Sequence, residues 1–164
     1  MILTPAARAI AEQAHAGQLD PAGEPLLAHV SRVALAAPPG ARGIAWLHEV
    51  LECTSLREDA LLASGLSKEE LRALRLLVRP PAERSEASYL GHIAHIARSS
   101  GWAGLLARQV KWSDLLDRLE HPCRRPDGWC PPYARGLAML AQVQPHRARH
   151  DGIEAAGAPL AAIR

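Results

Sequence analysis

Histidine and carboxylate side chains at helical spacing stand out in three places. In "WLHEVLECT", residues 46–54, His48 is followed directly by Glu49, and Glu52 lies four positions after His48. On a helix of about 3.6 residues per turn, His48 and Glu52 share one ridge and Glu49 lies about 100° round. Ile44, Leu47, Val50 and Leu51 make the apolar side of that helix. The plainest reading of such a ridge is a solvated face. The other is a set of groups that hold something charged. His29 lies inside "LLAHVSRVAL", among Leu26, Leu27, Val30 and Val33. That setting predicts at least partial burial, and a buried imidazole needs a partner, of which a metal ion is one. Lys111, Asp114 and Arg118 follow at i, i+3, i+7, the spacing of an exposed salt-bridge stripe. Together His29, His48, Glu49 and Asp114 offer two imidazoles and two carboxylates from three helices, a donor set suited to Mn²⁺, Fe or Zn²⁺. The set is specific only if those helices converge.

The elements that must bring them together are helical almost throughout. Thr4-Pro5 reads as an N-cap with Pro at the first helical position, for a helix to about Ala16 ended by Gly17. A second helix covers about Pro25–Ala37 and ends at "PPG"; a third runs from about Ala41 to Cys53. Ser67 with Glu70 is a capping box for a helix through Val78, and "RPP" at 79–81 breaks the chain. Ser85 caps "SEASYLGHIAHIARSS", which Gly101 ends or kinks. In "WAGLLARQVKWSDLLDRLEH", Leu105, Leu106, Val110, Leu115, Leu116 and Leu119 form a wide apolar face. A loop spans 122–132, a last helix covers about Tyr133–Val143, and 145–164 read as a loose tail after a single domain, 1–144. No segment alternates with period two, so the fold class is all-α.

The chain has 164 residues, enough to build one core without disulfides or structural metal. It has no Phe, so Leu, Ala, Ile and Val must fill the interior, with Trp46, Trp102 and Trp112 taking up the remaining space. A formal charge of +2 without a basic block argues against nucleic-acid binding. No run approaches the ~18 apolar residues of a membrane span, and no signal peptide is recognisable at the N-terminus. Three Cys without a framework spacing read as reduced thiols of a cytoplasmic protein. His92 and His95 form an i, i+3 pair with no third ligand in view. His121, Cys123 and Cys130 fit no standard site and read as lining a surface loop. His146 and His150 belong to the tail.

The segments "AHAGQ", "GEPLLAH", "LHEVLECT" and "VKWSD" occur in this order between residues 14 and 114. In order and approximate spacing they resemble the HD-domain hydrolases of the RelA/SpoT type, and in particular the small alarmone hydrolases that lack a synthetase domain. The likeness spans roughly residues 6–120. It implies an HD-domain helical bundle of about eight helices and a divalent ion, usually Mn²⁺, held by His29, His48, Glu49 and Asp114. It implies Glu52 as the acid/base group beside the attacking water; Lys111 and Arg118 are expected, from their charge, to meet an anionic substrate. The implied reaction removes the 3′ pyrophosphate from ppGpp or pppGpp, small nucleotides rather than nucleic acid. The chain departs from the family pattern at five points. Glu49 and Cys53 stand where the family has Asp, Asp20-Pro21 where it has Arg-Lys, Leu26 where it has Tyr, and Arg118 where it has Asn. A degenerate HD domain that binds a nucleotide or protein without turnover, and an HD phosphatase for another phosphorylated metabolite, are the alternative expectations.

Overall fold

The computed structural model describes residues 1–79, 85–122 and 131–143. Among them the only extended pairing is an isolated bridge between Leu19 and Pro25, so the chain is all-α. The helices are α1 (Thr4–Ala14), α2 (Leu26–Ala36), α3 (Arg42–Leu47), α4 (Val50–Cys53), α5 (Glu58–Ala63), α6 (Lys68–Leu77), α7 (Glu86–Arg98), α8 (Gly101–Glu120) and α9 (Tyr133–Ala141). A short 3-10 turn, Pro39–Ala41, leads into α3. Counted as one interrupted helix, α3 and α4 bring the described set to the eight that the family likeness implies. The expected tail, 145–164, and the pair Cys123 and Cys130 lie outside the described residues.

Helix ends follow the local chemistry. Thr4 is the first helical residue rather than the cap, and Leu3 takes the cap position without a side-chain hydrogen bond. Gly17, at φ +70°, turns the chain out of α1 in a conformation that costs a residue with a Cβ about 1–2 kcal/mol. The capping box of α6 is formed in both directions: Ser67 Oγ accepts from Glu70 N–H, and Glu70 Oε2 accepts from Ser67 N–H at 2.9 Å. Glu70 is also buried, and its Oε1 accepts the Ile2 N–H at 2.9 Å, tying the start of the chain to α6. Ser85 caps α7 by accepting from Ser88 N–H at 3.1 Å.

The core lies where α3 packs against α1, α2, α6 and α8, and α8 in turn against α2, α6 and α9. Val30, Val33, Ile44, Leu47, Leu106 and Leu115 are fully or almost fully buried in it. Each such side chain contributes roughly 1.5–3 kcal/mol relative to exposure. Trp46 is buried as expected and Trp112 packs on the core edge, but Trp102, at the start of α8, is 49% exposed. The apolar face of α8 also differs from expectation. Leu119 is exposed, Leu105 and Leu116 are only partly covered, and the inward face instead carries Ala103, Ala107, Ser113, Asp114 and Asp117. The long central helix therefore turns polar groups inward, and these need partners.

Candidate metal centre

The expected single helix from Ala41 to Cys53 is interrupted at His48 and Glu49, which form a turn between α3 and α4. Both keep right-handed backbone angles, with φ/ψ of −65°/−26° and −96°/−10°, so the apolar register continues through the break. The turn aims the two adjacent side chains at one point. His29 reaches that point from α2 and Asp114 from α8. Ligand atoms of His29, His48, Glu49 and Asp114 all lie within 4.8 Å of one another, and all four residues are buried. Among the described residues this is the one group of three or more His, Cys, Asp or Glu side chains placed to hold an ion.

Each imidazole is anchored through Nδ1 and presents Nε2 to the centre. His48 Nδ1–H donates to the Ala45 carbonyl at 2.7 Å. His29 Nδ1–H donates to Asp117 Oδ2, also at 2.7 Å. The two Nε2 atoms then face each other at 3.3 Å. His29 Nε2 is 3.3 Å from Asp114 Oδ1 and 3.6 Å from Glu49 Oε1, and His48 Nε2 is 3.5 Å from the same Glu49 oxygen. Ligands bonded at about 2.1 Å have edges of about 3.0 Å in an octahedron and about 3.4 Å in a tetrahedron. The observed separations are of that size. Two imidazoles and two carboxylates with this spacing fit a first-row divalent ion.

Charge in the centre is unevenly shared. Burial opposes a charge on His29, but its hydrogen bonds to Asp114, Asp117 and Glu49 outweigh burial and raise its pKa to about 10. Burial lowers the His48 pKa to about 4. A proton between the two rings is therefore favoured on His29 over His48. Burial works against ionisation of Glu49, Asp114 and Asp117, yet His29 and the neighbouring cations hold all three below the ordinary carboxylate range.

Lys111 and Arg118 are both engaged at the centre. Lys111 Nζ donates to Asp114 Oδ2 at 2.7 Å. Arg118 Nε donates to Asp114 Oδ1 at 2.7 Å, and its Nη2 to Glu49 Oε1 at 2.6 Å. Cys53 donates its thiol to Glu49 Oε2 at 3.3 Å, and burial pushes that thiol up to about 12, so it stays neutral. Glu52, in the short helix after the turn, lines the same pocket as His48. It is partly exposed, accepts the Arg79 N–H on Oε2 at 3.1 Å, and has the Arg79 guanidinium 3.8 Å from Oε1.

All of these residues except Asp114 line one pocket of about 230 Å³, together with Arg32, Arg79, Tyr89, His92 and Tyr133. His92 is half-buried on this wall and His95 exposed, so the pair does not form a site. The residue that sequence reasoning missed is Asp117. Its carboxylate orients His29 and takes Arg32 on both oxygens, at 2.5 and 3.0 Å. The available signal was its place one turn after Asp114 on a helix already holding a candidate ligand. A carboxylate behind a ligating imidazole is a recurrent feature of metal sites, where it fixes the tautomer. No helix among the described residues is long and apolar enough to cross a membrane. No family model matches the chain, and no curated protein matches it.

Proposed function

We propose that the protein is a metal-dependent phosphohydrolase of the HD type, acting on a nucleotide that carries a pyrophosphate, with ppGpp and pppGpp as the substrates that the sequence likeness favours. The observation that carries this reading is the convergence of His29, His48, Glu49 and Asp114 beside a pocket lined by Arg32, Arg79, Lys111 and Arg118. Ligands for a cation and groups that attract phosphate thus adjoin one another. Bound there, a divalent ion, Mn²⁺ by family likeness, supplies Lewis acidity towards a phosphoryl oxygen and a water of lowered pKa. The protein does the rest. Asp117 and the Ala45 carbonyl hold both imidazoles with Nε2 forward. Glu52 lines the pocket with Oε1 the less engaged of its oxygens, and that oxygen accepts the proton of the attacking water. Arg79 and Lys111 line the pocket, where their charges offset the negative charge on the phosphate oxygens in the transition state.

A second reading has an observation of its own. Lys111 and Arg118 already neutralise Asp114 and Glu49, and a centre that needs no ion would suit an inert nucleotide- or protein-binding module. Metal analysis after Mn²⁺ loading, with a hydrolysis panel that includes ppGpp, separates the readings. The expected result is one equivalent in the wild type, none in His48→Ala, and release of pyrophosphate from ppGpp. An empty wild-type centre would favour the inert module. A loaded centre that hydrolyses only other phosphate compounds would move the substrate elsewhere.

A further inference from the structure

The two carboxylate oxygens nearest His29 Nε2 are Asp114 Oδ1 and Glu49 Oε1. Those are the two oxygens that Arg118 spans with Nε and Nη2. The guanidinium thus bridges, from one side, the oxygens an ion would have to take. The remaining oxygens of the pair are also occupied, Asp114 Oδ2 by Lys111 and Glu49 Oε2 by the Cys53 thiol. Apart from the His29 proton, the wider set balances as well: Glu49, Asp114 and Asp117 face Lys111, Arg118 and Arg32, three negative charges against three positive. A divalent ion that replaces the His29 proton still adds one charge to a cluster that has no excess of negative charge, and the nearest cation must give way or be held at high energy. Of the three cations, Arg118 alone touches both ligand carboxylates. It also borders the open pocket, with its side chain 27% exposed.

We infer that Arg118 is a resident counter-ion of the centre, that a divalent ion binds by taking Glu49 Oε1 and Asp114 Oδ1 from it, and that the freed guanidinium then serves as a docking group for a phosphate in the pocket. This rests on the metal-centre reading and extends it to the order of events. Metal and phosphate become partners: the ion releases the group that binds the anion, and the anion holds that group away from the ion. Linkage requires each to raise the affinity of the other by the same factor. A planar fork that already bridges two carboxylate oxygens is suited to bridge two phosphate oxygens as well.

The test is calorimetric titration of Mn²⁺ into the full chain, wild type and Arg118→Gln, in phosphate-free buffer and again with inorganic phosphate. The glutamine variant is expected to bind Mn²⁺ roughly 10- to 100-fold more tightly than wild type without phosphate, since a competing charge a few ångströms away is gone. Phosphate is expected to tighten Mn²⁺ binding to wild type and to leave the variant unchanged. A wild-type centre that stays empty while the variant loads also supports the assignment. Equal or weaker Mn²⁺ binding by the variant, with wild type loading normally, overturns the role of Arg118 and leaves the metal centre standing. No binding by either chain overturns both. Should the glutamine variant fail to fold, as circular dichroism would report, Arg118→Lys decides. One ammonium cannot span both oxygens, so several-fold tighter binding supports the competition, and equal or weaker binding overturns it.

Discussion

Asp117→Asn tests whether the imidazoles are built to receive an ion. In the wild type one carboxylate serves two donors, His29 Nδ1 at 2.7 Å and the Arg32 fork at 2.5 and 3.0 Å. An amide has one oxygen for both. If that oxygen stays on Arg32, the NH₂ meets Nδ1 and moves the His29 proton to Nε2, where it points at the ion. If the oxygen turns to His29, two donors face each other at Arg32. Either way the cost falls on metal binding, and loss of such a supporting carboxylate costs about 10- to 100-fold, or about 1.4–2.7 kcal/mol. A second effect runs the other way. His29 carries a proton up to a pH of about 10 in the metal-free protein, through bonds that include Asp117. Wild type must release that proton to bind, so its affinity rises with pH. The asparagine variant holds the proton less firmly and gains less from alkali. Mn²⁺ titrations of both proteins at pH 6.5 and 8.0 should therefore show a deficit that widens with pH, from the lower end of the range towards the upper. Equal affinities at both pH values, in a folded variant, would refute the positioning role of Asp117.

Glu52→Gln should retain the metal and the fold but lose ~10²-fold or more in turnover, because the proton acceptor is gone while the ligand set is intact; unaltered turnover under single-turnover conditions would remove Glu52 from the chemistry. Glu70→Gln should lower unfolding free energy by about 1–3 kcal/mol, since one amide oxygen cannot accept from both Ile2 and Ser67. Urea unfolding measures it, and a shift within error would show that water substitutes freely. Burial and the nearby Lys111 charge lower His92 to about 4, against an ordinary 6.5. The folded state thus refuses a proton that the unfolded chain accepts, so the stability concerned is present above pH 6.5 and lost as pH falls towards 4. Denaturation midpoints across that window should fall less steeply in His92→Gln. The difference between the two proteins is the readout, because His48 acts with the same sign in this window, whereas the contribution of His29 changes above it; parallel curves would contradict the assignment.

The parts of this fold legible in the sequence were those set by local chemistry. The Ser67–Glu70 box, the Ser85 cap and the Gly17 turn each need only a few neighbouring residues, and all three are found. α5 was not anticipated: it has six residues and buries only Leu61, too little to print a periodic pattern. The break at His48-Glu49 is invisible to periodicity because its backbone angles stay near helical values. The four candidate ligands were visible as residue types, but their meeting point is tertiary. Asp117 was hidden by a different rule: a buried carboxylate on a leucine-rich helix reads as surface until its partners, His29 and Arg32, are known to lie opposite.

The pairings that close the centre join residues far apart along the chain, 88 positions for His29 with Asp117 and 69 for Glu49 with Arg118. This has a consequence for the lifetime of the folded state. Contacts across such spans close large loops and tend to form late, after the local helices and their nearest packing. Interactions absent from the transition state leave the folding rate alone and slow unfolding. An ion seated among these residues should act as a latch on the finished structure: the refolding arms of the chevron with and without Mn²⁺ should superimpose, while the unfolding arm drops on loading. Adding a chelator to the folded, loaded protein would then shorten its lifetime without altering how it folds.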